Sequence, residues 1–230
     1  MVAAIEKTAL VIGASRGLGL GLTNRFLERG WRVIATERQG TKHLGLQDLA
    51  AETGERLEIE RVDIDIEEEL KGLRERLEGR RIDLLIVNAA TIGDPEASFA
   101  DRLLQVMKTN VVSVLSALHQ LRDLVRDDGV VSVMSSELAS VSDNTKGGWE
   151  PYRSSKSALN QSLRSFVAEQ PDLPWSITAV APGWVQTDLG GADAPLTVET
   201  STNGVVDMLE TRFAKRDLAF MNYKGDTLPW

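Results

Sequence analysis

At 230 residues, 42% apolar and 26% charged, the chain has the length of one domain and the composition of a soluble globular fold. The absence of cysteine excludes disulfides, thiolate nucleophiles and sulfur-ligated metals, and a formal charge of −8 disfavours contact with nucleic-acid phosphates or an anionic membrane. His43 and His119 stand far apart and outside any His-Glu-x-x-His run, so no metal is expected, and no apolar stretch approaches the roughly 18 residues that cross a bilayer.

Met1 to Leu10, with Glu6 and Lys7 inside it, lacks the layout of a secretory signal, and a cytoplasmic location is expected. Thr8 to Ile12 then reads as a strand ending at Gly13, followed by a helix over Leu18 to Arg29 with Leu22 and Phe26 on its apolar face. A second strand at Arg32 to Thr36, a helix around Leu44 to Glu52 and a third strand at Leu57 to Val62 come next. Glu67 to Leu77 places Leu70, Leu73 and Leu77 on one stripe of a charged helix. The nearly all-apolar run Ile82 to Val87 is expected to be a central strand covered on both faces. A single long helix is expected over Phe99 to Leu124. After it Asp128 and Gly129 turn the chain into a fifth strand at Val130 to Ser135. Pro151 suits the first position of a helix running to about Glu169, closed by Pro171 and Pro174, before a strand at Ser176 to Ala181. Thr197 is placed to cap a helix from Val198 to about Phe213, and Leu218 to Met221 is the last strand. Strict alternation with no repeat or long linker predicts one α/β domain over residues 1–230: a doubly wound Rossmann-type sheet of about seven parallel strands with helices on both faces. Ligands bind such sheets beyond the carboxyl ends of the strands.

At the end of the first strand stands Gly13-Ala14-Ser15-Arg16-Gly17-Leu18-Gly19. Glycines there permit a tight turn and close approach of the backbone to a ligand, and the helix that follows offers unpaired N–H groups to a pyrophosphate. Taken alone such a turn fits a plain strand-to-helix connection equally well. Its position before a second strand that ends in Glu37 and Arg38 favours a dinucleotide. An acidic group at that strand end accepts from a free ribose 2′-hydroxyl and selects NAD, whereas arginine pairs with a 2′-phosphate and selects NADP. Both are present, and Arg16 adds a second positive charge, so NADP(H) is favoured with NAD(H) as the alternative.

Tyr152 and Lys156, four residues apart near a helix start, share one face. A tyrosine of pKa near roughly 10 needs help to act as base at neutral pH, and a nearby ammonium favours the phenolate. Ser135 and Ser136 end the fifth strand where a hydroxyl could donate to a carbonyl. Asn110 sits inside an apolar helix, a poor place for an amide without a partner, and Asn88 ends the central strand.

These residues together resemble the short-chain dehydrogenases/reductases, from the glycine turn to beyond Pro182-Gly183, which is most of the chain. By that resemblance Gly13, Ser15, Arg16, Gly17, Leu18 and Gly19 line the pyrophosphate, Asp63 and Ile64 border the adenine, and Asn88, Ala89 and Ala90 pack beside the cofactor. Pro182, Gly183, Val185 and Thr187 hold the nicotinamide end, at the head of a substrate loop over about 184–200. Ser136, Tyr152, Lys156 and Asn110 correspond to the catalytic tetrad, with Asn110 anchoring a water that links Lys156 to solvent. Two departures stand out: Val87-Asn88-Ala89-Ala90 replaces the usual Asn-Asn-Ala-Gly, and the Ser136 to Tyr152 spacing is wider than usual, with the extra length in Asp143-Asn144-Thr145-Lys146-Gly147-Gly148-Trp149.

That insertion, Pro182-Gly183-Trp184-Val185-Gln186-Thr187-Asp188 and the ending Asn222-Tyr223-Lys224-Gly225-Asp226-Thr227-Leu228-Pro229-Trp230 are similar to the C-factor-like branch with its sniffer-type carbonyl reductases. The resemblance implies hydride exchange with a small carbonyl or alcohol. Trp149, Trp184 and Leu189 at the mouth favour an apolar or aromatic substrate, unless the tryptophans only pack the loops. Helix residues Val106, Val111, Leu115, Leu159, Leu163 and Phe166 form a wide apolar arc, and the resemblance pairs these helices across the axis of a homodimer or homotetramer. The alternative is a cofactor-binding signalling or redox-sensing protein with little turnover; dehydration or isomerisation on the same fold is a third class.

Overall fold

Seven strands, β1 (Thr8–Ile12), β2 (Arg32–Glu37), β3 (Leu57–Arg61), β4 (Ile82–Val87), β5 (Val125–Met134), β6 (Ser176–Ala181) and β7 (Leu218–Asn222), pair in parallel in the order β3-β2-β1-β4-β5-β6-β7. The computed structural model describes residues 6–170 and 172–230; Pro171, expected to help close a helix, and the start of the Met1 to Leu10 stretch lie outside the described residues. The helices are α1 (Gly17–Glu28), α2 (Gly45–Thr53), α3 (Glu67–Arg76), α4 (Phe99–Met107), α5 (Val114–Leu121), α6 (Glu150–Ala168) and α7 (Val198–Glu210).

Strand residues alternate between the two faces, and the core divides accordingly. Leu10, Ile12, Ile34, Leu85 and Val87 pack with α3, α5 and α6 on one side. Ala9, Val11, Val33, Ala35, Leu84 and Ile86 pack with α1, α2 and α7 on the other. Every residue of β4 is buried, as a strand between two helical layers requires. Strand order reverses between β1 and β4, which opens the crevice at their carboxyl ends where α/β sheets bind ligands. No helix among the described residues is long and apolar enough to cross a membrane.

Three expectations change. First, β5 begins at Val125, and Asp128 and Gly129 lie within the strand rather than in a turn before it. The register against β4 shifts between the pairs Ile82–Val125 and Leu84–Val130, and Asp128 takes a left-handed φ of 65° inside this bulge. Second, the helix expected over Phe99 to Leu124 is broken by a π-helical turn at Lys108–Ser113 and finishes in a 3-10 turn at Arg122–Leu124. Propensity does not show this, because the turn is held by tertiary hydrogen bonds. Third, of the expected apolar arc Val106, Val111, Leu159, Leu163 and Phe166 are buried within the chain itself and belong to its core, while Leu115 is half-buried. The large apolar residues left exposed on α4 and the π-helical turn are Phe99, Leu104 and Val112.

Candidate active site

The carboxyl end of β1 leads into the glycine turn. Gly13 has a left-handed φ of 82°, and a Cβ added there would stand 3.0 Å from the Ala89 backbone nitrogen; at Gly19 it would meet the Gly13 carbonyl at 2.1 Å. Only glycine lets the turn and the end of β4 approach this closely. The Asn88 side chain fastens the two together by donating to the Gly13 carbonyl at 2.7 Å, while the Gly13 N–H donates to Thr36 Oγ1 at 3.0 Å. Arg16 precedes α1 without a side-chain cap, and the first turn of α1 carries no acidic residue. The positive end of α1 is therefore left to an external anion, and this donor set fits a pyrophosphate. Ser15 and Leu18 line the same turn, and Gly17 faces Thr187 across it.

At the end of β2 the two competing residues separate. Glu37 is 4% exposed; one carboxylate oxygen accepts from Gln47 Nε2 of α2 at 2.9 Å and the other is buried without a partner. Arg38 is exposed. Arg16 is exposed as well and pairs with Asp188 of the loop after β6. Beyond β3, Asp63 Oδ1 accepts from the Asp65 N–H at 3.0 Å, and Ile64 is core, so its backbone alone can border a ligand.

The chemical end is assembled from β5, the π-helical turn and α6. Ser135 is buried and donates to Asn160 Oδ1 of α6 at 2.7 Å, which removes it from contention and leaves Ser136 beside the phenol of Tyr152. Lys156 is 0% exposed, and its ammonium donates to the Met134 carbonyl at 2.7 Å, 5.7 Å from the centre of the Tyr152 ring. Burial pushes the Tyr152 phenol up to about 12, with hydrogen bonding to Ser136 acting in the opposite direction. Burial likewise pushes Lys156 down to about 7. Burial of both groups disfavours their charged forms, which opposes the lowering of the tyrosine expected from Lys156.

Asn110 is fully buried in the π-helical turn. Its Oδ1 accepts from the Thr91 N–H at 2.8 Å, and its Nδ2 donates to the Thr91 carbonyl at 2.9 Å and to Ser155 Oγ at 3.0 Å. Both of its amide hydrogens are committed to protein. Ser155 Oγ in turn donates to the Tyr152 carbonyl at 2.8 Å. Ser155, Asn160, Gln47, Asp65 and Asp188 hold the site together and are absent from the sequence-derived set. Only the spacing of Asn160 from Lys156, one helical turn on the same face, could have signalled any of them.

The loop of residues 184–200 closes on itself. Trp184 Nε1 donates to the Gly190 carbonyl at 2.7 Å, the Leu196 N–H to the Trp184 carbonyl at 3.2 Å, and the Gly190 N–H to Thr187 Oγ1 at 3.1 Å. Val185 is buried, and the Pro182 carbonyl accepts from Ser201 Oγ at 2.7 Å, so this segment is fixed relative to α7. Gly183 packs against Leu196 and Tyr223, and Ala89 and Ala90 line the end of β4 opposite. Trp149, immediately before α6, takes a left-handed conformation with φ 55° and is 55% exposed; Trp184 is 57% exposed. A bulky residue in that region is strained by about 1–3 kcal/mol.

Comparison with known proteins identifies the family and the fold. Over residues 41% identical, a short-chain dehydrogenase/reductase from Burkholderia multivorans, solved with bound NADP, superposes with a TM-score of 0.94 and covers 98% of this chain and 100% of its own. The carbonyl reductase Sniffer of D. melanogaster is 29% identical, with a TM-score of 0.88, covering 98% and 100% respectively. The C-signal of Myxococcus xanthus is 30% identical over 155 residues, which is 65% of this chain and 93% of that protein. A model of the short chain dehydrogenase family matches residues 7–195, a span that holds the glycine turn, Asn110, Ser136, Tyr152 and Lys156. The chain belongs to the short-chain dehydrogenase family, among relatives of the C-signal and Sniffer type.

Proposed function

We propose that the protein is an NADP(H)-dependent carbonyl reductase acting on a small apolar or aromatic carbonyl compound, with Tyr152 as general acid. The observation that carries this reading is a half-buried, proton-bearing Tyr152 beside Ser136, on the same helix face as a fully buried Lys156. When bound, the reduced nicotinamide supplies the hydride. Ser136 donates a hydrogen bond to the carbonyl oxygen and polarises it. A phenol pushed up to about 12 keeps its proton at neutral pH until alkoxide character develops on that oxygen, then delivers it. Lys156, when charged, stabilises the phenolate that remains, and Asn110 with Ser155 fixes the backbone at Tyr152. Gly13, Gly17 and Gly19 with the α1 N-terminus would hold the pyrophosphate, and Pro182, Gly183, Val185 and Thr187 the nicotinamide end.

Cofactor choice follows from the separation of Glu37 and Arg38. Gln47 draws the carboxylate inward, while Arg38 and Arg16 remain at the surface to meet a 2′-phosphate. The bound NADP of the Burkholderia multivorans structure supports the same choice. Two exposed tryptophans, one held in a strained conformation next to α6, support a flat apolar substrate. A homodimer or homotetramer that covers Phe99, Leu104 and Val112, and a cytoplasmic location, belong to this reading. Similarity to the C-signal favours one other reading, a cofactor-binding signalling protein with little turnover.

The deciding experiment follows NADPH and NADH oxidation by wild type and Tyr152→Phe over aldehydes, ketones, diones and quinones, with cofactor binding measured separately by tryptophan fluorescence. Turnover by wild type with NADPH, lost in Tyr152→Phe with binding retained, is the expected result. Cofactor binding without turnover of any compound would favour the signalling reading.

A further inference from the structure

We infer that Asp65 is a positioning residue for Tyr152, acting through the π-helical turn and Asn110. The kinetic part of this inference rests on the proposed carbonyl reduction; the structural part does not. Asp65 lies between β3 and α3. Its Oδ2 accepts from Thr109 Oγ1 at 2.8 Å and its Oδ1 from Ser113 Oγ at 2.7 Å. These two hydroxyls belong to the single π-helical turn Lys108–Ser113. Such a turn interrupts the regular helical ladder and persists where tertiary contacts hold it. A carboxylate accepting from both hydroxyls does so strongly, since charge-assisted hydrogen bonds are roughly twice as strong as neutral ones.

Asn110 stands between Thr109 and Ser113. It grips Thr91 through both backbone groups and reaches Ser155, whose hydroxyl binds the Tyr152 carbonyl. Hydrogen bonds on either side of the covalent Thr109–Asn110 step therefore connect Asp65 to the backbone of the proposed general acid. The Asp65 N–H donates to Asp63 Oδ1, so the same connection begins at the segment expected to border the adenine. Reversion of the turn to regular helix shifts the phase of its flanks by one residue, about 100° around the axis, and would withdraw Asn110 from Thr91 and Ser155.

The test compares wild type, Asp65→Ala and Asp65→Asn by amide hydrogen exchange, NADPH binding and steady-state kinetics, well below each melting temperature. Asp65→Ala is expected to speed exchange of the Thr91 N–H about tenfold, the loss of one charge-assisted bond, with β4 amides unchanged. Its kcat is expected to fall about 30-fold while the NADPH dissociation constant stays within about threefold, the signature of a misplaced catalytic group. Asp65→Asn, which can still accept from one hydroxyl and donate to the other, should recover most of both. Should Asp65→Ala not fold, Thr109→Val and Ser113→Ala remove the contacts singly, and each should show the same pattern at smaller amplitude.

Wild-type exchange at Thr91, or faster exchange with unchanged kcat, overturns the inference. So does a lowered melting temperature as the only change. If wild type reduces no carbonyl compound, the proposed function fails, and the exchange result alone decides whether Asp65 holds Asn110.

Discussion

Replacing Lys156 by methionine should stabilise the protein at pH 7 while abolishing its turnover. Burial moves the ammonium from an ordinary 10.5 to about 7, so keeping it in the fold at neutral pH costs roughly 4–5 kcal/mol. Methionine fills the same unbranched channel without a charge. It also leaves the Met134 carbonyl without its donor, a loss of about 1–3 kcal/mol. The difference favours the variant by about 2 kcal/mol, or roughly 4–8 °C in melting temperature for a chain of this size. The sign with pH follows from proton binding. Between about 7 and 10.5 the unfolded chain holds the Lys156 proton and the folded protein does not, so wild-type stability gains as pH rises through this window. The advantage of the variant should therefore shrink toward zero by about pH 9.5. Calorimetric melts of both proteins at pH 7 and 9.5 make the comparison, and the onset of Tyr152 titration in the unfolded state is common to both chains and cancels from the difference. A variant no more stable than wild type at pH 7, or an advantage that grows with pH, would refute the argument that an uncompensated buried ammonium underlies this site.

The pH–rate profile carries a second expectation. Reduction uses protonated Tyr152, pushed up to about 12, and charged Lys156, pushed down to about 7, so kcat/KM should decline as pH rises through about 7; a rate that climbs over this range would contradict the acid role. Arg38→Ala should weaken NADPH binding about 10- to 100-fold and leave NADH binding nearly unchanged, read by fluorescence titration at fixed low salt. Gln47→Leu, which frees the Glu37 carboxylate, should lower the ratio of NADPH to NADH affinity by about tenfold, and an unchanged ratio would mean that Glu37 does not reach the ribose in either case. Trp149→Gly should raise KM for aromatic ketones while relieving about 1 kcal/mol of backbone strain, seen as an unchanged or higher melting temperature; equal KM values for every substrate would assign Trp149 to loop packing.

Much of this protein is fixed by local chemistry that a sequence displays. Apolar runs such as Ile82–Val87, glycines at a strand end and the four-residue step from Tyr152 to Lys156 each carry their reason within a few residues, and every strand except β5 lies within a residue or so of where periodicity places it. Tyr152 and Lys156 share a helix face by geometry alone.

Tertiary structure decided the rest, because it concerns which polar group is satisfied by which distant partner. Position alone does not separate Ser135 from Ser136; the family resemblance selects Ser136, and the structure shows Ser135 occupied by a hydrogen bond to Asn160. Glu37 and Arg38 compete as adjacent residues until Gln47 draws one of them inward. Asp128 and Gly129 look like a turn, yet the bulged pairing of β5 with β4 keeps them in a strand. The helix around Asn110 reads as continuous, yet Asp65 and Thr91, both remote in sequence, hold a π-helical turn there. The ionisation of Tyr152 and Lys156 is set in the same way. Sequence brings an ammonium near a phenol, and only tertiary structure determines how far desolvation disfavours the charged form of each.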